Sequence, residues 1–135
     1  MTRINLVEPS ELTDQHLVAE YREIFMVGSS LQRSLKSKNW EKTLANIPKK
    51  YTLNKGHVTF FYDKGKYLCK RYDSLIEEMK NRGMNPDSER KFKTEQWPKE
   101  LFKDWTPEED DYKVIRARIK EKIEMKPDWY RFTKK

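Results

Sequence analysis

Leu17, Tyr21, Ile24, Gly28, Leu31 and Leu35 recur at alternating spacings of four and three residues. An α-helix puts such a series on one face, so the first quarter of the chain must lay a long apolar stripe against a core. Thr13 is the expected N-cap, with Asp14 in the first turn, where the helix dipole favours an anion. Gly28, Ser29 and Ser30 interrupt the stripe with small residues. They mark either a weak spot in the helix or a place where another backbone segment, such as the N-terminal one, passes close. A second stripe, Leu68, Tyr72, Leu75 and Met79 joined by Ile76, predicts a helix from about Lys64 to Arg82, with Gly83 where a C-terminal cap belongs. A third helix is announced by Thr106 as N-cap, Pro107 at N1 and Glu109 at N3, a capping-box pattern, and carries Tyr112, Ile115, Ile119 and Ile123 until Pro127 stops it.

The connections are long. Residues 37 to 55 hold no sustained period and read as loop, and Gly56 to Lys64, rich in β-branched and aromatic residues, reads as an extended, buried segment feeding the second helix. Phe92, Trp97, Leu101, Phe102 and Trp105, in the stretch around Pro86 and Pro98, are expected to cover the helices. With 135 residues the expectation is an all-α, compact single domain, spanning 1–135, of three main helices with long aromatic-rich loops.

Composition narrows the partner. Charged residues make up 38% of the chain and its mean hydropathy is −1.07, but four Trp, seven Tyr and six Phe argue against disorder. The net charge of +7 and pI near 9.4 suit a polyanion such as nucleic acid. Cys69 is the one cysteine, so no intrachain disulfide forms and a reducing cytoplasm is the expected compartment. No stretch has the apolar length of a membrane span, and residues 1–6 lack the apolar run of a signal peptide. His16, His57 and Cys69 are not spaced as zinc ligands, and HExxH, CxxC, GxGxxG, P-loop and GxSxG patterns are all missing, so neither a metal nor an organic cofactor is expected.

The N-terminus offers a nucleophile. The small side chain of Thr2 permits removal of Met1, leaving a free α-amine. An α-amine has a pKa of about 7.7–8.0 against about 10.4 for lysine, so at neutral pH its uncharged fraction is roughly 300-fold larger. The neighbouring cation Arg3 lowers the amine further. On the first helix His16, Glu20 and Glu23 share a face bordering the apolar stripe, where a carboxylate is suited to proton transfer; periodicity leaves Glu20 and Glu23 as alternatives. Gln15, Arg22 and Met26 follow an adjacent strip. On the third helix Arg118 with Lys122, and Arg116 with Lys120, are i,i+4 pairs able to grip phosphates or simply to be solvated. The end, Trp129-Tyr130-Arg131-Phe132-Thr133-Lys134-Lys135, suits contacts to bases and backbone, or folds back as a packed tail.

Taken together, several blocks carry a resemblance. Thr2-Arg3-Ile4-Asn5-Leu6, Asp14-Gln15-His16-Leu17, Ala19-Glu20-Tyr21-Arg22-Glu23, Gly56-His57-Val58-Thr59-Phe60-Phe61-Tyr62-Asp63-Lys64, Ala117-Arg118, Glu121-Lys122-Ile123 and Trp129-Tyr130 resemble, in order and offset, the bacteriophage endonuclease V type of pyrimidine-dimer DNA glycosylase. The resemblance implies a mostly helical domain that removes the 5′ base of a cyclobutane pyrimidine dimer and then cleaves the strand as an abasic-site lyase. It implies Thr2 as the amine nucleophile and Glu23 as the catalytic glutamate. Arg3, Gln15, Arg22, Arg118, Lys122, Trp129 and Tyr130 fall on its DNA-binding positions, and His16 and Arg131 join them as candidates from the helix face and the tail. The implied partner is double-stranded DNA containing pyrimidine dimers or abasic sites, bound by a monomer in a bacterial or phage-infected cytoplasm, with no cofactor and no membrane. Phe25-Met26 stands where related members carry Pro-Arg, so one phosphate-contacting cation is missing, and residues 34 to 54 match poorly. The alternatives are a lyase or glycosylase for other lesions and a non-catalytic DNA-binding module.

Overall fold

The computed structural model describes residues 3–133, and among them it is helical with no strand. The elements are α1 (Asp14–Glu23), α2 (Phe25–Leu35), α3 (Trp40–Ala45), α4 (His57–Phe60), α5 (Gly65–Asn81) and α6 (Glu109–Met125). Short 3-10 turns lie at Pro9–Glu11, Phe61–Asp63, Thr94–Gln96 and Lys99–Leu101. The all-α expectation holds, and α1 with α2, α5 and α6 are its three main helical stretches. Among the described residues no helix is long and apolar enough to cross a membrane.

The first stretch begins as the sequence predicts. Thr13 Oγ1 accepts the His16 backbone N–H at 3.0 Å. Its interruption falls elsewhere than expected, at Ile24 between α1 and α2, and not at Gly28, which lies within α2. Gly28 is approached closely, but by the side chains of Gln96 and Trp97 and not by the backbone of the N-terminal segment. A Cβ there would collide with Gln96 Oε1 and sit 3.4 Å from Trp97 Nε1, and one on Gly65 would lie 2.7 Å from the Trp97 ring. Trp97 thus sits between α2 and α5, in contact at Gly28, where the end of the Gln96 side chain lies closer still, and tight against Gly65, where a Cβ would meet its ring.

Three boundaries differ from expectation for physical reasons. Residues 57–63 are helical, not extended. With no neighbouring strand to pair with, their backbone groups are satisfied locally, as in Phe60 N–H to Gly56 O at 2.9 Å and Lys64 N–H to Phe61 O at 3.0 Å. Residues 40–45 form the short, exposed α3 within the predicted loop, closed by Thr43 N–H to Asn39 O at 3.0 Å. The capping box of α6 is built by Glu108 and Asp111 and not by Thr106 and Glu109; the Asp111 carboxylate is buried and accepts Glu108 N–H at 2.9 Å. Burial of that acid selects the start two residues later.

Along α5 the predicted Leu68, Tyr72, Leu75 and Met79 are buried, together with Gly65 and Arg71, while Ile76 is half-buried. They pack on Leu17, Tyr21 and Ile24, with Ile4, Leu6 and Val7 of the N-terminal segment threaded into the same core. At the far end Arg82 ties α5 to the start of α1. Its guanidinium bonds Asp14 at 2.9 Å, Leu12 O at 2.7 Å and Glu78 at 2.7 Å.

Candidate active site

The site begins with what holds the N-terminal segment. Ile4 N–H donates to His57 Nε2 at 2.9 Å, and Tyr51 donates its hydroxyl to Ile4 O at 2.7 Å. His57 Nδ1 lies 2.8 Å from Thr52 O, which only accepts, so the ring is the neutral Nδ1–H tautomer with Nε2 free to accept. Burial lowers the His57 pKa, with the Arg3 charge acting the same way against the Thr52 bond and Glu20. Burial also holds Tyr51 protonated, far above the ordinary phenol value, so it remains a donor. One residue on, Asn5 N–H and Asn5 Nδ2 both reach Glu20 Oε1, at 3.2 and 2.9 Å. Leu6 has φ 59°, and Val7 N–H closes a γ-turn onto Asn5 O at 2.5 Å. A non-glycine residue held there costs about 1–3 kcal/mol, and Arg71 secures the next peptide by donating to Val7 O at 2.6 Å.

Glu20 and Glu23, left as alternatives by periodicity, have different fates. Glu20 is 1% exposed and locked to Arg71 by two bonds, Arg71 Nε to Oε2 at 2.6 Å and the second guanidinium arm to Oε1 at 3.0 Å. Burial alone would lower the Arg71 pKa, but the charge and hydrogen bonds of Glu20 outweigh it and raise it. Glu20 is therefore a structural anion that fastens Asn5 to α1 and α5. Glu23, one turn further, is half-buried and acts electrostatically on Arg3.

Arg3 is where the described segment leaves the core. It is half-buried, its pKa lowered first by burial and then by the Arg118 charge, against Tyr51, Glu23 and Tyr130. Arg3, Glu23, Arg118 and Tyr130 thus share one neighbourhood, joining the N-terminal segment, the end of α1, α6 and the tail. His16 belongs beside them. Its ring stacks on Tyr130 with centroids 4.8 Å apart and planes 3° from parallel, and Nδ1 pairs with Thr13 Oγ1 at 2.7 Å. Burial, then Arg3, lowers its pKa, which favours an uncharged ring.

The tail folds back over the start of α1. Asp14 N–H donates to Arg131 O at 2.7 Å, Gln15 Nε2 to Trp129 O at 2.7 Å, and Arg131 N–H to Gln15 Oε1 at 3.1 Å. Thr133 N–H donates to Asp14 Oδ1 at 3.0 Å. Both amide ends of Gln15 are thereby used on the tail. Packing does not hide the aromatics, since Trp129 remains 53% exposed and stands against Tyr130. A cleft of about 390 Å³ opens between α1 and the tail, with Val18, Arg22, Trp129 and Arg131 on its walls.

On α6 the two pairs separate. Arg116 is exposed and paired with Glu11, at 3.2 and 3.0 Å. Arg118 and Lys122 are half-buried on the adjoining face, Arg118 towards Arg3. Of the expected site residues, Arg3, His16, Glu23, Arg118 and Tyr130 therefore cluster; Gln15, Arg22, Trp129 and Arg131 flank the cleft; Lys122 lies one turn along α6. Thr2 and Lys134-Lys135 lie outside the described residues. Among the described residues no three His, Cys, Asp or Glu side chains gather as a metal site.

Residues that the sequence did not put forward as site residues hold this arrangement: Tyr51, His57, Arg71 and Arg82. A signal existed for the ion pair. Glu20 lies three residues after Leu17 and four before Ile24, and Arg71 three after Leu68 and four before Leu75. Each is a charge set on a buried stripe, and such charges are found in pairs.

Helices presenting a carboxylate among arginines, with aromatics at the rim and a net positive charge, define a class: small basic domains suited to a polyanionic strand. Comparison with protein families gives the match as pyrimidine dimer DNA glycosylase, over residues 1–92. That is 92 of 135 residues, and the chain belongs to this family. At that level it is a DNA-repair glycosylase whose substrate is DNA carrying pyrimidine dimers.

Proposed function

We propose that the protein releases the 5′ base of a cyclobutane pyrimidine dimer through an imine on the Thr2 amine and then cleaves the strand by β-elimination, acting as a monomeric single domain in the cytoplasm. The observation that carries this is the clamped N-terminal segment, which emerges at Arg3 beside Glu23 and Arg118. Two residues of chain span at most about 7 Å, so covalent connectivity keeps an amine on Thr2 within that distance of the fixed Ile4 nitrogen.

The chemistry follows from the groups. Once Met1 is removed, the uncharged amine attacks C1′ of the 5′ nucleotide. The N–C1′ bond forms as the glycosidic bond breaks, and the base leaves with the electron pair. Arg3 and Arg118 hold the amine towards its neutral form and draw in the flanking phosphates. The Glu23 carboxylate stabilises positive charge growing on the sugar and accepts and returns protons as the ring opens to the imine. The imine acidifies C2′; loss of that proton expels the 3′ phosphate, breaking the C3′–O bond, which is the abasic-site lyase step. Duplex weakened at a dimer is cheaper to distort, and the exposed Trp129 beside Tyr130 and Arg131 offers a stacking surface for bases displaced there.

The test separates binding from chemistry. Glu23→Gln is expected to bind dimer-containing duplex normally and to release no base; base release at the unsubstituted rate refutes its role. Abasic duplex should be cut and oxidised-base duplex left intact. Binding without scission of any of these duplexes would instead establish a non-catalytic module.

A further inference from the structure

The interruption between α1 and α2 leaves carbonyls at the end of α1 that a helix cannot satisfy alone, and a residue distant in sequence takes them. The Arg90 guanidinium donates to Tyr21 O at 2.6 Å and to Arg22 O at 2.8 Å. It also lies 4.0 Å from the Phe25 ring centroid and 4.4 Å from that of Tyr21, between the last residues of one helix and the first of the next. A planar, permanently charged fork suits this seat, with two carbonyls to accept from it and two aromatic rings within cation–π distance. The Arg22 carbonyl belongs to the peptide unit that supplies the Glu23 nitrogen. Arg90 therefore fixes the plane from which the Glu23 side chain springs.

We infer that Arg90 is a positioning residue for the glycosylase reaction, setting the orientation of Glu23 through the Arg22–Glu23 peptide and touching neither base nor sugar. This rests on the role proposed above for Glu23. The segment bearing Arg90 is anchored independently of its guanidinium. Asp87 N–H donates to the Tyr21 hydroxyl at 3.0 Å, the Tyr72 hydroxyl donates to Arg90 O at 2.8 Å, and Phe92 packs on Phe25 and Tyr72. Truncation of Arg90 should therefore free the junction without releasing the loop. The same cation lies over Phe25, next to the Phe25-Met26 pair where the sequence lacks a basic residue, and two of its donors are used on the Tyr21 and Arg22 carbonyls.

The experiment is single-turnover base release from dimer-containing duplex, with affinity measured separately, for Arg90→Ala and Arg90→Lys. A misplacement of about 1 Å costs as much as about a hundred-fold in rate, so Arg90→Ala is expected to slow base release about ten-fold or more, with affinity changed less than about two-fold. Arg90→Lys keeps the charge and hydrogen-bond donors but loses the planar two-armed fork and should fall between. Guanidinium ion at millimolar concentration should restore Arg90→Ala towards the unsubstituted rate, where sodium at equal ionic strength does not; a generally loosened protein would not respond so. An unchanged rate overturns the inference, as do rate and affinity falling together by one factor, the mark of a phosphate contact, or failure of guanidinium to rescue. If the unsubstituted enzyme releases no base, the role of Glu23 falls and this one with it. If Glu23→Gln is inactive while Arg90→Ala is fully active, only the role of Arg90 falls.

Discussion

Replacing Glu20 by Gln should destabilise the protein severely although the two side chains are nearly the same shape. The introduced amide keeps an oxygen for Asn5 N–H and Asn5 Nδ2, so those bonds survive. What is lost is the charge opposite Arg71, whose side chain is 5% exposed and whose Nε and second arm face Glu20 at 2.6 and 3.0 Å. Removing one partner of a buried pair leaves an uncompensated ion and costs about 3–5 kcal/mol. For a chain of 135 residues this corresponds to a Tm lower by roughly 9–25 °C, at about 3–5 °C per kcal/mol. The second substitution makes the argument specific. In Glu20→Gln with Arg71→Met the orphaned cation is gone, and the remaining loss is chiefly the bond from Arg71 to Val7 O, worth about 1–3 kcal/mol as an unsatisfied buried carbonyl. The double variant should therefore be more stable than Glu20→Gln alone. Thermal melts and urea titrations followed by circular dichroism read both. A single variant losing less than about 1 kcal/mol, or a double variant weaker than the single, would refute the assignment of Glu20 as a structural anion.

Two further outcomes follow. His57 and His16 both have pKa values lowered in the fold from 6.5, so the cationic form is disfavoured there; stability should be full above pH 6.5 and fall as the pH drops below it towards the depressed folded values. His57→Gln should flatten that decline in urea midpoints, and an unchanged slope contradicts the neutral acceptor role at Ile4 N–H. Arg118→Gln should weaken DNA binding and reduce the slope of log affinity against log salt by about one, whereas Arg116→Gln, already paired with Glu11, should leave both nearly unchanged; equal effects in binding titrations would contradict the division of α6 into two faces.

Much of this was legible because a helix writes its buried face into the sequence at a fixed period. The stripes of α1–α2 and α5 were readable position by position, and Thr13 as N-cap followed from its hydroxyl. What was hidden depends on contacts far apart in the chain. The break at Ile24 is tied to a guanidinium some seventy residues downstream, and nothing near Ile24 announces it. His57 to Phe60 has strand-like residues, yet helix forms because no strand is there to pair with them. The capping box moved to Glu108 because Asp111 is buried, a tertiary fact. The candidate site shows the same division: the cations and the acidic face of α1 were visible, but the pairing that commits Glu20 to the core depends on Arg71 in another helix.

The most direct test is chemical capture of the intermediate. The processed enzyme is incubated with dimer-containing duplex and borohydride, the covalent product digested, and the modified peptide sequenced by mass spectrometry. The account predicts a reduced sugar bonded to the backbone nitrogen of Thr2, and no capture once that nitrogen is acetylated. An adduct on a lysine side chain, or strand cleavage that proceeds with nothing trapped, contradicts it.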